Sequence, residues 1–440
     1  MAVATWAMSR IVGPTKAQEQ ALATMRRLPP AVGRNAFEAL WLLPYYVPES
    51  QRGRIVAEDL RRLAAPSRGH ETVATATPYA SSAEAGFPKQ SLNLEEMALF
   101  CGGGGRDCLP VVQADLKRYA ALVKRHAAII DRAQALSQYA TIRHPRHSQV
   151  LDTVIPPYQY AKLPATRYAV DFAEGRRYDA FDGACRGIDT WRRLGADSDS
   201  LITRLIGTAY SVDVYARLFV EMLAATPRDF ALPASCDTAF LPLSSHELSM
   251  CPAMQGELLF SDAQIRQIES DQNQNLSMLE RILAPLLFSA EMTQADRAEH
   301  LVFYCGEEAK KALVSDRRIV RPGSEPNLLR FECAGNPAGC MLSSIASPNF
   351  DVYSGRIQDA NVKLRLIAVL VRLRADTRDQ RPFDVRFRSA AAGVFAPERA
   401  VGIDADGLAL QMRHYDAWRG EYSKIRLPAY FHTSGATASR

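Results

Sequence analysis

The chain has 440 residues, 47% hydrophobic and 23% charged, with 53 basic against 48 acidic side chains and a formal charge of +5. This is the globular average, which excludes a disordered, collagen-like or membrane-bundle protein, and the near balance of charge gives no electrostatic footprint for nucleic acid. A length beyond the usual ceiling of a single core predicts two packed lobes or one elongated helical body.

Taken from the start, Met1 to Arg10 lacks a basic n-region and a small-residue cleavage site, so no signal peptide is expected there. Side-chain acceptors three residues before an acid or amide mark helix starts at Asn35 with Glu38, Asn93 with Glu96, Ser261 with Gln264, and Thr293 with Asp296. The run Trp41 to Pro48 (WLLPYYVP) is expected to end a helix and pack inward. Apolar residues spaced three or four apart from Leu116 to Leu136 predict one long amphipathic helix. From Ser200 to Leu223 nearly every turn is apolar on more than one side, which predicts a helix at the centre of the fold. The length of the apolar run Gln358 to Asp376 favours a helix over a strand. Two short apolar segments from Val401 to Met412 flank Asp404-Ala405-Asp406-Gly407 and predict a hairpin. Pro66 to Ser91, rich in Ser, Ala, Pro and Gly, and Thr141 to Pro164, carrying Pro145, Pro156, Pro157 and Pro164, read as irregular excursions.

The fold class expected is mainly α, an irregular assembly of helical hairpins with a minor C-terminal β-hairpin. It divides into an N-terminal helical lobe over 1–140 that includes the Cys101/Cys108 loop, a proline-rich connector over 141–165, a main helical lobe over 166–432 and a disordered tail over 433–440. The longest apolar stretches, such as Ile282 to Phe288 with its Pro285, are too short to span a bilayer.

Eight cysteines are present, and six fall into neighbouring pairs: Cys101 with Cys108, Cys236 with Cys251, and Cys333 with Cys340, leaving Cys185 and Cys305 apart. The two shortest loops, CGGGGRDC and CAGNPAGC, are glycine-bearing and can turn sharply enough to bring two Cα atoms within disulfide distance. Each bridge would contribute roughly 2–3 kcal/mol through loop entropy. No C-x2-C spacing or nearby histidine pair accompanies them, so disulfides are expected over unpaired structural thiols or a metal site. Disulfides persist in oxidising compartments, which points to a periplasmic or cell-envelope location or secretion, against the missing signal at the N-terminus.

Candidate chemistry is sparse. Gly102 to Gly105 are followed by Arg106-Asp107-Cys108 rather than Lys-Ser/Thr, which argues against a phosphate loop. His144 and His147 have metal-ligand spacing, but Pro145 denies them a helix. Ser245-His246-Glu247 cannot form a triad as adjacent residues and reads as a helix start. Asp197 and Asp199, like Asp404 and Asp406, fit capping and turn formation better than calcium binding, and Glu307-Glu308 with Lys310-Lys311 fits an exposed helix face. No G-x-S-x-G, H-E-x-x-H or G-x-G-x-x-G motif occurs.

The segments NAFEALWLLPYYVPE (Asn35 to Glu49), CRGIDTWRRLGADSDSL (Cys185 to Leu201), CPAMQGE (Cys251 to Glu257) and NPAG (Asn336 to Gly339) resemble segments of a group of uncharacterised bacterial envelope proteins with no assigned activity. The resemblance implies an N-terminal anchor and an oxidising location, and no catalytic residue to carry over; the hydrophobic anchor is not present at this start. The function expected is a non-catalytic envelope protein that binds another protein, for instance an inhibitor or immunity factor against a secreted toxin. The alternative is an enzyme, such as a hydrolase, whose site assembles from distant residues. No cofactor and no nucleic acid are expected, and membrane contact only through such an anchor.

Overall fold

The structure, a computed structural model, describes residues 2–63, 80–102, 107–145, 155–275, 284–322, 329–345, 350–416 and 420–431. Helices succeed one another from Ala2–Val12 to Phe383–Ala391 and are followed by three short strands. Among them are Cys108–Ala114 (α1), Arg177–Ala196 (α2), Leu201–Ala209 (α3), Ala216–Ala224 (α4) and Asp351–Ala375 (α5).

The helix expected over 200–223 forms and is enclosed as its all-round apolar pattern requires. Ser200 caps it by accepting the Thr203 N–H. It runs as α3, a π-helical stretch over Tyr210–Tyr215, and α4. A π turn inserts one extra residue into the spiral. α3 crosses α2 backbone against backbone: a Cβ on Gly207 would stand 2.7 Å from the Gly195 Cα and 2.8 Å from the Trp191 carbonyl oxygen. Only hydrogen atoms fit in that gap, so the crossing requires glycine on both helices.

The largest apolar cluster draws on residues from Ala36 to Phe431, with Phe181 of α2, Phe219 of α4, and Leu364 and Leu370 of α5 among its fully buried members. Phe181 and Phe219 meet edge to face at 5.3 Å. A second cluster gathers Met25, Leu201, Met254, Leu301 and Ile357. α5 therefore serves both, Ile357 in one and Leu364 in the other, so its apolar residues are not confined to one stripe. Each such side chain contributes roughly 1.5–3 kcal/mol on burial. The run Trp41 to Pro48 packs inward as expected, with Trp41, Leu42, Leu43, Tyr45 and Val47 buried.

Strands Val401–Ile403 (β1), Ala409–Arg413 (β2) and Tyr422–Arg426 (β3) form one antiparallel sheet in the order β1-β2-β3. Ile403 faces Leu410, and Leu410 faces Ile425. The turn between β1 and β2 is the expected one: the Asp404 carboxylate accepts the N–H groups of Leu408 at 3.0 Å and Ala409 at 2.9 Å, and Gly407 takes a φ of +71°. The sheet is fastened to the helices by Arg399, whose guanidinium, 1% exposed, bonds both Asp316 oxygens and Asp359 and lies 3.5 Å from the Tyr415 ring centroid.

Several expectations are corrected. The stretch 116–136 is not one helix but Leu116–Arg125 and Ala127–Gln134, broken at His126, whose buried imidazole sits 3.3 Å from Glu96 and edge-on to Phe100. Asn93 does cap, accepting the Glu96 N–H at 2.7 Å. Ser261 does not: it lies inside Cys251–Asn275 and donates to the Leu258 carbonyl. Thr293 lies one turn inside Ala290–Val302, whose cap is Ser289, and donates to the Ser289 carbonyl at 2.7 Å. A hydroxyl can satisfy itself on a carbonyl of the preceding turn, so the same local sequence serves cap or interior. Asn35 is spent on a chain crossing, accepting the N–H of Phe37 and of Arg143 and donating to the Arg143 carbonyl. Of the two excursions, the described parts hold short 3-10 turns at Ser82–Ala85 and Tyr158–Tyr160, and Pro164 opens the helix Pro164–Ala173. Residues 64–79, 146–154 and the tail over 433–440 lie outside the described residues.

The cysteines form four pairs at disulfide distance, but not all in the expected partnership. Cys101–Cys108 and Cys333–Cys340 join as expected, with Cα atoms 5.4 and 5.7 Å apart. Cys236 and Cys251 do not join each other. Cys185, on α2, joins Cys236 at a Cα separation of 5.0 Å, and Cys251 joins Cys305 at 4.6 Å, so neither Cys185 nor Cys305 stands apart. Helix packing overrides nearness in sequence: α2 lies against the helix Ser235–Ala239, whereas Cys251 opens a separate helix, Cys251–Asn275. These two bridges close loops of 51 and 54 residues against 7 for the others. Loop entropy then assigns about 4 kcal/mol to each long bridge and about 2.5 kcal/mol to each short one. Replacing Cys185 and Cys236 together by serine should therefore cost more than replacing Cys101 and Cys108. Urea unfolding without reductant reads the difference, and equal losses would contradict the pairing.

Candidate functional site

Three adjoining cavities run along one side of the central helix, beside its π turn and α4. The largest, about 540 Å³, lies between α4, α1, α5 and β3, with Leu109, Val220, Ile367 and Ile425 among its lining residues. A second, about 170 Å³, opens beside Cys101, Gly102 and Cys108, and shares Arg217 and Glu221 with the first. A third, about 300 Å³, shares Lys363, Ser423 and Lys424 with the first and ends at His414 and Tyr422. Joined through these shared residues, they form an elongated cleft along the helix, bordered by β3 at the first and third cavities and by Cys101, Gly102 and Cys108 at the second.

The charged side chains of the cleft come from a simple spacing. Asp213, Arg217 and Glu221 stand four residues apart and so share one helix face. Arg217 bonds Asp107 at 2.7 Å and stands 3.5 Å from Glu221. Asp213 accepts from Lys363 of α5 at 2.9 Å. On the opposite flank Lys424 bonds Asp404 at 3.0 Å. The wall at Cys101–Cys108 is tight: Gly102 takes a φ of +84°, and a Cβ there would meet Val214 at 2.9 Å.

Glu221 is the most perturbed of these groups. Burial pushes its carboxyl up to about 7, the N–H of Leu109 pulls it down, Asp107 raises it and Arg217 lowers it. Leu109 donates to its Oε2 at 2.7 Å, while Oε1 is buried without a hydrogen-bond partner among the described residues. A carboxyl raised to about 7 by burial, with one oxygen facing the Arg217 Nε at 3.5 Å and making no hydrogen bond among the described residues, is a group able to accept or give a hydrogen bond or a proton.

Of the candidate chemical residues singled out from the sequence, those lining the cleft are Cys101, Gly102, Asp107 and Cys108, with Asp404 at its rim through Lys424. His144 is instead tied by its backbone and its Nδ1 to the buried Asp199, while Arg143 bonds Asp197 at 3.1 Å; His147 lies outside the described residues. Ser245, His246 and Glu247 open the short helix Ser245–Leu248, where Ser244 and Glu247 form a capping box and Glu247 pairs with Arg192. Lys310 pairs with Glu307 on an exposed face. Among the described residues no three of His, Cys, Asp and Glu gather as metal ligands, and no helix is long and apolar enough to cross a membrane. Sequence reasoning passed over Asp213, Arg217 and Glu221. Their signal was present, as three charges at intervals of four in the second half of a mostly apolar helix.

No protein family, curated protein or solved structure matches this chain. The functional reading therefore rests on the cleft.

The raised Glu221 carboxyl has a consequence for stability. Because its folded value of about 7 lies above the unfolded value, the native state holds the extra proton between about pH 4.5 and 7 and loses this advantage as pH rises through that window. The contribution is about 3 kcal/mol at most. Glu221→Gln, which still accepts the Leu109 N–H, should remove this part of the decline. Urea unfolding at pH 5 and pH 8 reads it, and parallel declines in wild type and variant would refute the assignment.

Proposed function

We propose that this is a binding protein of an oxidising, envelope-type compartment, and that its cleft receives a segment of another protein, as an inhibitor of a secreted toxin would. Four disulfide-distance pairs are compatible with such a compartment. The observation that carries the reading is the shape of the cleft. Its cavities follow the helix from Asp213 to Ala225, about 18 Å at 1.5 Å per residue, which suits an extended chain better than a compact small ligand. The lining mixes apolar side chains with a few placed charges, as recognition surfaces do.

The test fills the cleft without disturbing the core. Ala225 is exposed and lines the largest cavity, so Ala225→Trp should fold as wild type by circular dichroism. Affinity capture from envelope extract should return a stoichiometric partner with wild type and lose it with Ala225→Trp. A partner retained undiminished by the variant, or none captured by either, removes the reading.

A second reading is favoured by Glu221 alone: a hydrolase using that carboxyl as general acid–base, its pKa being near the operating range such a group needs. It predicts turnover of a peptide, ester or glycoside substrate with a pH profile bending near 7, abolished in Glu221→Gln. Wild-type protein inert toward all three classes, or Glu221→Gln as active as wild type, would reject it.

A further inference from the structure

Strand β3 is an edge strand, bonded on one side to β2 and bordered on the other by the largest cavity. The ladder fixes which of its backbone groups point each way. Leu427 donates to the Leu408 carbonyl and His414 donates to the Glu421 carbonyl. In an antiparallel pair, bonded and non-bonded positions alternate, so Ser423 and Ile425 also bond toward β2. The N–H and C=O groups of Tyr422, Lys424 and Arg426 point outward, and no described group bonds the N–H of Lys424 or Arg426. Such a row of unpaired groups is a template for another strand.

The side chains around this edge set the character of what pairs there. Ile425, Val220 and Ile367 are buried and make the wall of the cavity apolar on one face of β3. Lys424 and Arg426 are exposed on the other. Lys424 has Asp404 at 3.0 Å, whereas Arg426 has no carboxylate within 4 Å among the described residues. Of the cations lining the cavity, Arg217 is paired with Asp107, Lys363 with Asp213 and Lys424 with Asp404, so the charge open to a partner at this edge is that of Arg426 together with the exposed Lys424.

We propose that the partner segment binds as an extended strand antiparallel to β3 on its free edge, with acidic side chains opposite Lys424 and Arg426 and apolar ones beside Ile425. The inference rests on the binding reading above and names its mode. Directly opposed residues of adjacent strands point to the same face, so the segment alternates apolar and acidic residues. Backbone hydrogen bonds then supply attachment and the alternation supplies selectivity. In this register the acidic residues are the bonded positions, exchanging N–H and C=O with Lys424 and Arg426.

The probe is a capped peptide of alternating valine and glutamate, about eight residues long to cover the strand. It should bind the wild-type protein by calorimetry. N-methylation of the glutamate nitrogens, which face β3, should weaken binding at least about tenfold, the worth of one or two backbone hydrogen bonds, while N-methylation of the valine nitrogens should not. A valine–lysine peptide should bind at least about tenfold more weakly, since like charges then meet across the pair. No binding of the valine–glutamate peptide, equal effects of the two methylation patterns, or equal binding of the lysine peptide would each overturn the proposal. Lys424→Pro removes an edge N–H from a position that does not bond β2, and should lose the peptide, where Lys424→Gln, which loses the charge and keeps the N–H, should weaken it by less. Failure of the mode is separable from failure of the binding reading. If Lys424→Pro leaves partner capture intact while Ala225→Trp abolishes it, the cleft is used but the edge is not. If neither variant changes capture, the binding reading itself is lost.

Discussion

The buried guanidinium of Arg399 is the contact on which the geometry of the cleft depends. Its bidentate bond to Asp316 and its bond to Asp359 draw together three distant parts of the chain: the turn after Glu307–Val314, the middle of α5, and the residues leading into β1. Burial opposes the charge on Arg399, and the two carboxylates more than offset it, holding its pKa above the ordinary value. Asp316 adopts a φ of +50°, a left-handed conformation that costs a non-glycine residue roughly 1–2 kcal/mol. That cost persists because the carboxylate is needed where it stands. Asp359 also accepts the N–H groups of Tyr415 and Asp416, and Asp416 holds Arg356 at 2.6 Å. The connection from β2 to β3 is thereby tied to α5. A buried ion cluster of this kind adds little net stability compared with apolar packing, but any arrangement that separates its members leaves a charge stranded. It specifies position, and the position it specifies is that of β3 beside Lys363 and Ile367.

Much of the helical body was legible because hydrophobic periodicity reports burial directly. The helix after Ser200, the helix over Asp351–Ala375 and the hairpin around Asp404 all follow from the face each sequence offers to a core. What was not legible depends on partners distant in the chain. Cys236 has Cys251 nearer in sequence, yet its partner Cys185 is set by the packing of α2 against Ser235–Ala239. The break at His126 serves contacts to Glu96 and Phe100 that no local pattern announces. β3 is short, carries Lys424 and Arg426, and reads as a polar loop until β2 is there to pair with it. The same holds for the candidate site. Its residues come from four segments and no motif unites them, although Asp213, Arg217 and Glu221 formed a legible line.

The covalent cross-links and the cleft are related in space. Cys101–Cys108 closes the chain just ahead of α1, whose first turn supplies the Leu109 N–H to Glu221. The bridge thus fixes the donor that partly satisfies the cleft's perturbed carboxyl. Lys162 reaches the Gly102 carbonyl from the neighbouring turn, adding a second hold on the same loop. One wall of the cleft is therefore held by a covalent bond and the other by the ion cluster at Arg399.

The π turn at Tyr210–Tyr215 sits within the helix that walls the cleft. Its wider turn takes up one extra residue, so the helix on either side keeps the phase of an uninterrupted spiral. α4 has no such slack, and one residue inserted after Tyr215 would turn everything beyond it by about 100° around the axis. Ala216 and Val220 would then stand in the places of Arg217 and Glu221, and the groove would be greasy along its helical flank. Its polarity is thus encoded as a count of residues, a quantity to which a substitution scan is blind and a single insertion is not.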